Sequence, residues 1–335
     1  MRMNKNRAAA EAASPKQESA ATSYDEAVEI PKELIEPVDT VSSWQNGEAE
    51  AIHRPLIPYH KMVWMRLKKD KLAMFGIVVI AVMLAAAIIG PIFSPYSYED
   101  TDFTAMLQGP SPEHWFGTDN LGRDVFVRTL YGARISLSIG FTAAAINMVI
   151  GVFYGGIAGY FGGKVDMIMM RIVDILSGIP SLLYLILLMM FMGASVKSIL
   201  IAMCLTYWIT TARMVRGSIL TLREQEYALA AKVCGQSDWN VLIHHLIPNS
   251  IGSIIVTVTF LIPSAIFEEA FLSFLGIGIS VPMASWGTMC NDAIQYLFDK
   301  PYLMIFPAAA ISLTIFSLNF LGDGLRDALD PRLIR

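Results

Sequence analysis

Six stretches of this chain carry no Asp, Glu, Lys or Arg: Leu72 to Tyr98, Ile135 to Gly163, Ile175 to Val196, Ser198 to Ala212, Trp239 to Phe267 and Pro301 to Gly322. A helix needs roughly 20 apolar residues to cross a hydrocarbon core of about 30 Å. Five of the stretches have that length. The fourth is shorter and is expected to cross with Arg213 and Arg216 reaching into the headgroups. Lipid offers backbone N–H and C=O groups no partners, so each span must be helical. The chain is thus expected to be an all-α membrane protein with six transmembrane helices. Only 16% of its 335 residues are charged, against about 25% in soluble domains. A net charge of −4 gives no electrostatic footprint for nucleic acid.

Lys and Arg near the spans set the orientation. Arg66, Lys68, Lys69 and Lys71 crowd the entry of the first span and place the N-terminus in the cytoplasm. Six spans return the C-terminus to the same side. The exceptions, Arg123, Arg128 and Arg134, sit near Asp119, Asp124, Glu99, Asp100 and Asp102 in the first outside loop and are read as locally paired. The expected divisions follow. Residues 1–58 are a cytoplasmic tail whose Ala, Ser, Glu and Lys cannot bury enough surface to offset the cost of ordering, so it is expected to be disordered. Residues 59–98 hold an amphipathic helix on the inner leaflet, or equally a cationic flank anchored by Trp64, followed by the first span. Residues 99–134 form an outside loop, 135–322 a core of five transmembrane helices with a cytoplasmic helical excursion at 221–248, and 323–335 a cytoplasmic tail.

No engine is encoded. A phosphate-binding loop needs G-x-x-x-x-G-K-[ST]; the one Gly-Lys pair, Gly163-Lys164, is followed by Val165 and preceded by Ala158 where the first glycine belongs. H-E-x-x-H and G-x-S-x-G do not occur. Cys204, Cys234 and Cys290 are far apart and odd in number, which suits small packing residues rather than zinc or disulfides. His244 and His245 are adjacent and diverge around a helix, so a structural or interface role is expected rather than metal binding.

The excursion between spans four and five has its own grammar. Thr221 to Val233 reads as a helix of strong helix formers. Gly235 suits a left-handed cap. Ser237 can cap a second short helix with Asp238 in its first turn, and Pro248 closes the excursion. The product is a rigid corner held outside the lipid.

That corner resembles the E-A-A-x3-G-x9-I-x-L-P signature of inner-membrane permease subunits of ABC importers. Ala230, Ala231, Gly235 and Pro248 match; Ile247 stands for Leu, Leu229 for Glu with Glu226 one turn earlier, and His245 for Ile. The His and the Ser237-Asp238-Trp239 run are usual in the peptide-importer branch. Phe116 to Asp124, Gly132 to Leu137, Gly162 to Asp166, Glu269 to Gly276, Ser285 to Gly287 and Gly322 to Pro331 are similar to oligopeptide permease subunits of the C type, and the resemblance runs from about residue 60 to the end. It implies a type I ABC importer transmembrane fold in the bacterial cytoplasmic membrane. It also implies half of a pore shared with a second homologous permease, two ATPase subunits below and an extracytoplasmic peptide-binding protein above. The chain would be a non-catalytic subunit holding no cofactor, with ATP and Mg on the ATPases. Residues 221–248 would be coupling helices, with Glu226, Tyr227, Ala230, Ala231, Gly235, Ser237, Asp238, Trp239, His245 and Pro248 at the ATPase contact. Dipeptide, nickel and oligopeptide importers share these motifs.

On the outside, Asp119 and Asp124 with Arg123 suit a pinned turn packed against a neighbour and Trp286 an interfacial loop; these and Ser285 are expected either near the docking site of the delivery protein or, equally, as structural residues. Glu268 and Glu269 lie near the outer end of span five, where carboxylates face a cavity or a partner. Adjacent residues point apart, so at most one faces a given site; the resemblance keeps Glu269 and so implies that Glu269 is the one at the translocation path or subunit interface. A proton-coupled peptide carrier would use such a group as a relay, but such carriers usually show more spans or an internal repeat.

Overall fold

The computed structural model describes residues 58–279 and 282–330. The tail expected to be disordered (1–58) lies outside them save for Pro58, as do 331–335. The first helix, α1 (Tyr59–Leu67), precedes Asp70, whose side chain accepts the N–H groups of Leu72 and Ala73 and so starts α2 (Lys71–Phe93). Next comes α3 (Val125–Phe161), whose 37 residues extend about 55 Å and overshoot a core of about 30 Å. Beyond it lie α4 (Gly163–Ser177), α5 (Ser181–Met192), α6 (Val196–Thr206) and α7 (Trp208–Leu222). An elbow of short pieces follows: α8 (Glu226–Val233), α9 (Asp238–Asn240), a π-helical turn (Val241–Leu246) and α10 (Ile247–Asn249). The chain ends with α11 (Ile251–Phe274), α12 (Trp286–Ala293) and α13 (Tyr302–Leu329). Among the described residues there is no strand, only an isolated bridge between Thr118 and Asp124.

Among the described residues five elements are long and apolar enough to cross a membrane: α2, α3, the run α6–α7 (Val196–Leu222), α11 and α13. The third charge-free stretch is not a straight span. There α4 and α5 meet at 75° and would make a sixth crossing only together. Pro180 explains the break, since it lacks an N–H and disfavours helical geometry at Ile179. The fourth stretch also differs from expectation. It is part of a 27-residue run long enough to cross, and its arginines pair with acids of α4. Arg216 forms a two-pronged pair with Asp166, and Arg213 donates to Asp174 at 3.0 Å and to Ser177 at 2.7 Å.

The centre of the bundle is α3, packed on α7 through glycines one turn apart. A Cβ at Gly151 would lie 2.5 Å from Thr211 Cβ, at Gly155 2.3 Å from Ala212 O, and at Gly159 2.8 Å from Arg216 O. Small residues at this spacing let two backbones touch, which is how helices gain packing energy in lipid. Nearer its start α3 buries Leu137 and Ile139 with Ile266 and Leu272 of α11, Met203 of α6 and Leu318 of α13.

Ser94 to Asp124 connects α2 to α3 without helix or strand. Gly122 turns it with φ +73°, and a Cβ there would lie 1.8 Å from Asp102 O. The helix after it starts at Val125, earlier than the charge pattern indicates, because the arginines in its first turns are neutralised. Arg123 donates to Asp119 at 2.7 Å, Arg128 lies 3.4 Å from the same carboxylate, and the two approach Asp292 of α12 at 3.7 and 3.5 Å. Burial pushes the Asp292 carboxyl above its ordinary range, while Arg128 and Arg123 pull it back. Arg134 has no acid partner in this set: it donates to the carbonyls of Ala87 at 3.1 Å and Ile88 at 3.2 Å near the end of α2. At the other end of the molecule, α13 continues through Gly322 to Leu329 where a tail was expected from 323, because Gly324 seats against Ala73 of α2.

Three outcomes follow from this packing. Gly155→Leu should force α3 from α7 and cost at least about 3 kcal/mol, read as lost monodisperse protein on a detergent melting curve. Gly217→Ala, where a Cβ meets nothing within 4 Å, should leave the curve unchanged or raise it. Arg123→Ala, which leaves the Asp119 carboxylate with Arg128 at 3.4 Å as its remaining cation, should cost about 1.5–3 kcal/mol on the same measurement.

Candidate functional site

The elbow between α7 and α11 is built by local rules. The helix expected from Thr221 to Val233 is in fact broken: α7 ends at Leu222, Gln225 is extended (φ −74°, ψ 150°), and α8 starts at Glu226. The break frees Arg223, whose guanidinium donates to Gly159 O at 2.9 Å and Tyr160 O at 3.2 Å and so satisfies carbonyls left open at the end of α3. The end of α8 is a full Schellman closure. Gly235 has φ +81°, its N–H reaches Lys232 O at 2.9 Å, and the Gln236 N–H reaches Ala231 O at 3.2 Å. Ser237 then accepts the Asn240 N–H, starting α9.

Gln236 was not among the expected residues, yet it closes the corner. Its side-chain oxygen takes Nδ2 of Asn240 at 2.9 Å and faces Nε2 of His245 at 2.8 Å. His245 is therefore a strut within the elbow. Asp238 accepts the Tyr160 hydroxyl at 2.6 Å, tying the corner to α3, and Lys232 lies over the Tyr160 ring at 4.7 Å. Tyr160 and Arg223 could have been found only by knowing that α3 overshoots the bilayer. Pro248 sits inside α10 rather than after it, exposed and ahead of α11.

One face of this elbow is sealed and the other is open. Ala228, Ala231, Val241, Leu242 and Leu246 pack with Tyr160 of α3, Val215 and Ile219 of α7 and Ile254 of α11. Glu226, Ala230, Gly235 and Ser237 face outward, with Tyr227, Leu229, Trp239 and, at 88% exposure, Val233. The site is thus a stiff corner with an apolar outer face and a buried root in three long helices.

The residues expected to receive a delivery protein are instead internal. Asp119, Arg123 and Asp124 are buried in the ion-pair cluster and the α3 cap, where Asp124 accepts the Val127 N–H at 2.8 Å and faces His114 Nδ1 at 2.8 Å. Trp286 is fully buried, donates to Thr129 O at 3.0 Å and fills a groove left by Gly132. Ser285 and Thr288 form a reciprocal cap that starts α12. These side chains hold the loop end together and present nothing to a partner.

Glu269 also departs from its expected place. It is fully enclosed within this chain, its oxygens accepting from Ser136 at 2.7 Å and Ser273 at 2.8 Å. Its neighbour Glu268 lines an open cavity of about 820 Å³ bounded by α7, α11 and the end of α13.

Two family models match this sequence. "Binding-protein-dependent transport system inner membrane component" covers residues 151–335, and "N-terminal TM domain of oligopeptide transport permease C" covers residues 59–110. A dipeptide transport system permease protein of Bacillus subtilis (strain 168) is 49% identical over 292 residues, 87% of this chain and 91% of that protein. An oligopeptide transport system permease protein of the same strain is 48% identical over 304 residues, 91% and 98% of the two chains. An oligopeptide transport system permease protein of Escherichia coli (strain K12) is 41% identical over 269 residues, 80% and 89%. The capped corner, the glycine-packed bundle and these matches agree: the chain belongs to the family of inner-membrane components of binding-protein-dependent transport systems.

Proposed function

We propose that this chain is the permease subunit of an ATP-driven importer of oligopeptides, forming half of the translocation path and coupling it to separate ATPase subunits. One observation carries the reading. The elbow Glu226–Pro248 joins an apolar outer face to a root packed on α3, α7 and α11, so a push on that face moves three long helices together. A second, homologous permease chain completes the pore across the open cavity. Two ATPases holding ATP and Mg dock on Tyr227, Leu229, Val233 and Trp239, and an extracytoplasmic peptide-binding protein meets the opposite end. The bent pair α4–α5 counts as one crossing, giving six spans and both termini in the cytoplasm. The closeness of Tyr59 of α1 to Leu329 of α13, at 3.5 Å, supports placing both ends of the described chain on one side. Dipeptides are a second cargo reading, favoured by the relative that is 49% identical.

The ATPases, by changing their mutual distance, would press differently on the elbow in two states, and only such a difference can drive a change of access. Gly235→Val puts a β-branched residue at φ +81° and should break the Schellman closure. Peptide imported per ATP hydrolysed in proteoliposomes should fall about tenfold or more. Gly235→Asn, which tolerates the left-handed region, should retain most of it. Equal import per ATP in wild type and Gly235→Val would sink the coupling role.

A further inference from the structure

Two adjacent carboxylates on α11 have opposite fates. Both oxygens of Glu269 are hydrogen-bonded inside the protein. Glu268 turns to the wall of the 820 Å³ cavity. There its Oε1 takes a long bond from Ser181 at 3.3 Å, and its Oε2 is withdrawn from the surface. The Tyr207 hydroxyl also lies against this carboxylate and is shared between it and Ser264 O, the latter at 3.3 Å. Thr206, also on the wall, has an unpartnered Oγ1. The other charged residues on the wall, Arg326 and Asp330, lie at the opposite end with Gly252 and Leu329. Gly252 and Glu268 are about 24 Å apart along α11 at 1.5 Å per residue. A carboxylate half-buried within a membrane bundle and served by hydroxyls alone is costly unless a cation meets it.

We propose that Glu268 is a specificity-determining residue that receives the protonated amino group of a passing peptide, with the Ser181 and Thr206 hydroxyls flanking it. The ammonium meets the carboxylate from the cavity, where Ser181 gives Oε1 only a long bond, and forms a charge-assisted hydrogen bond. The chemistry selects cargo with a free amine over the same cargo with a neutral end. This inference rests on reading the cavity as half of a peptide path.

The test is uptake by the complete assembly, with its binding protein, of Ala-Ala-Ala and of its des-amino analogue propionyl-Ala-Ala. The wild-type to Glu268→Gln rate ratio is taken separately for each peptide, which cancels the delivery protein's own preference. The expected ratio is about ten for Ala-Ala-Ala, the worth of one charge-assisted bond, and within twofold of one for the analogue. Glu268→Asp should recover part of the loss. Equal losses for both peptides would make the carboxylate structural, and no loss for either would give it no role; both overturn the inference. A second readout does not depend on import. In a purified assembly whose own three cysteines in this chain are replaced by Ala, Thr210→Cys reports from the cavity wall. Millimolar Ala-Ala-Ala should slow its alkylation, propionyl-Ala-Ala should not, and Glu268→Gln should erase the difference; equal protection by both peptides overturns the inference. If wild type imports no peptide at all, the proposed function itself fails; if it imports peptide and Glu268→Gln changes nothing, only this inference fails.

Discussion

The close approach of α3 and α7 is the constraint on which the rest of the molecule depends. Between apolar helices in lipid there is little hydrophobic force, so backbone proximity and dispersion must hold them. Gly151, Gly155 and Gly159 permit that proximity. The same contact fixes where both helices end: Arg223, just after α7, closes the carbonyls at the end of α3. The elbow begins at that junction, so its position relative to the bundle is set by the glycine seam.

At the opposite end the molecule uses charge instead of small residues. Asp119, Arg123, Arg128 and Asp292 form a compact cluster between the 94–124 loop, α3 and α12. Isolated, each group would be expensive to bury; together they neutralise one another. A polar lock of this kind keeps a long, non-helical loop in one shape, and that shape in turn seats Trp286 against α3.

Much of this was legible in the residues. The charge-free runs located every long apolar helix, and the left-handed glycine and the Ser237 cap marked the corner. What stayed hidden depended on partners distant in sequence. The start of α3 could not be read because its arginines are cancelled by Asp292 and by carbonyls of α2. The bend between α4 and α5 has a local cause in Pro180, but charge spacing alone does not register it. Of two adjacent glutamates, the pattern could say that they diverge and not which one faces in; three-dimensional packing placed Glu269 among serines and Glu268 on the cavity. The burial of Asp119, Arg123, Asp124, Ser285 and Trp286 was not legible because the contacts that enclose them, such as Arg123 with Asp292 and Trp286 with Thr129, lie across the fold.

The π-helical turn Val241–Leu246 has a consequence for how this segment can vary in length. A π turn accommodates a residue that regular winding would not, and here it lets Val241, Leu242 and Leu246 all reach the same buried root. Deleting one residue from it would restore ordinary winding and swivel everything upstream by about 100°. The outer apolar face would then point away from whatever it meets. Although it belongs to a connection between long helices, where insertions and trimming are usually harmless, this stretch is expected to hold its residue count as strictly as a strand holds its register.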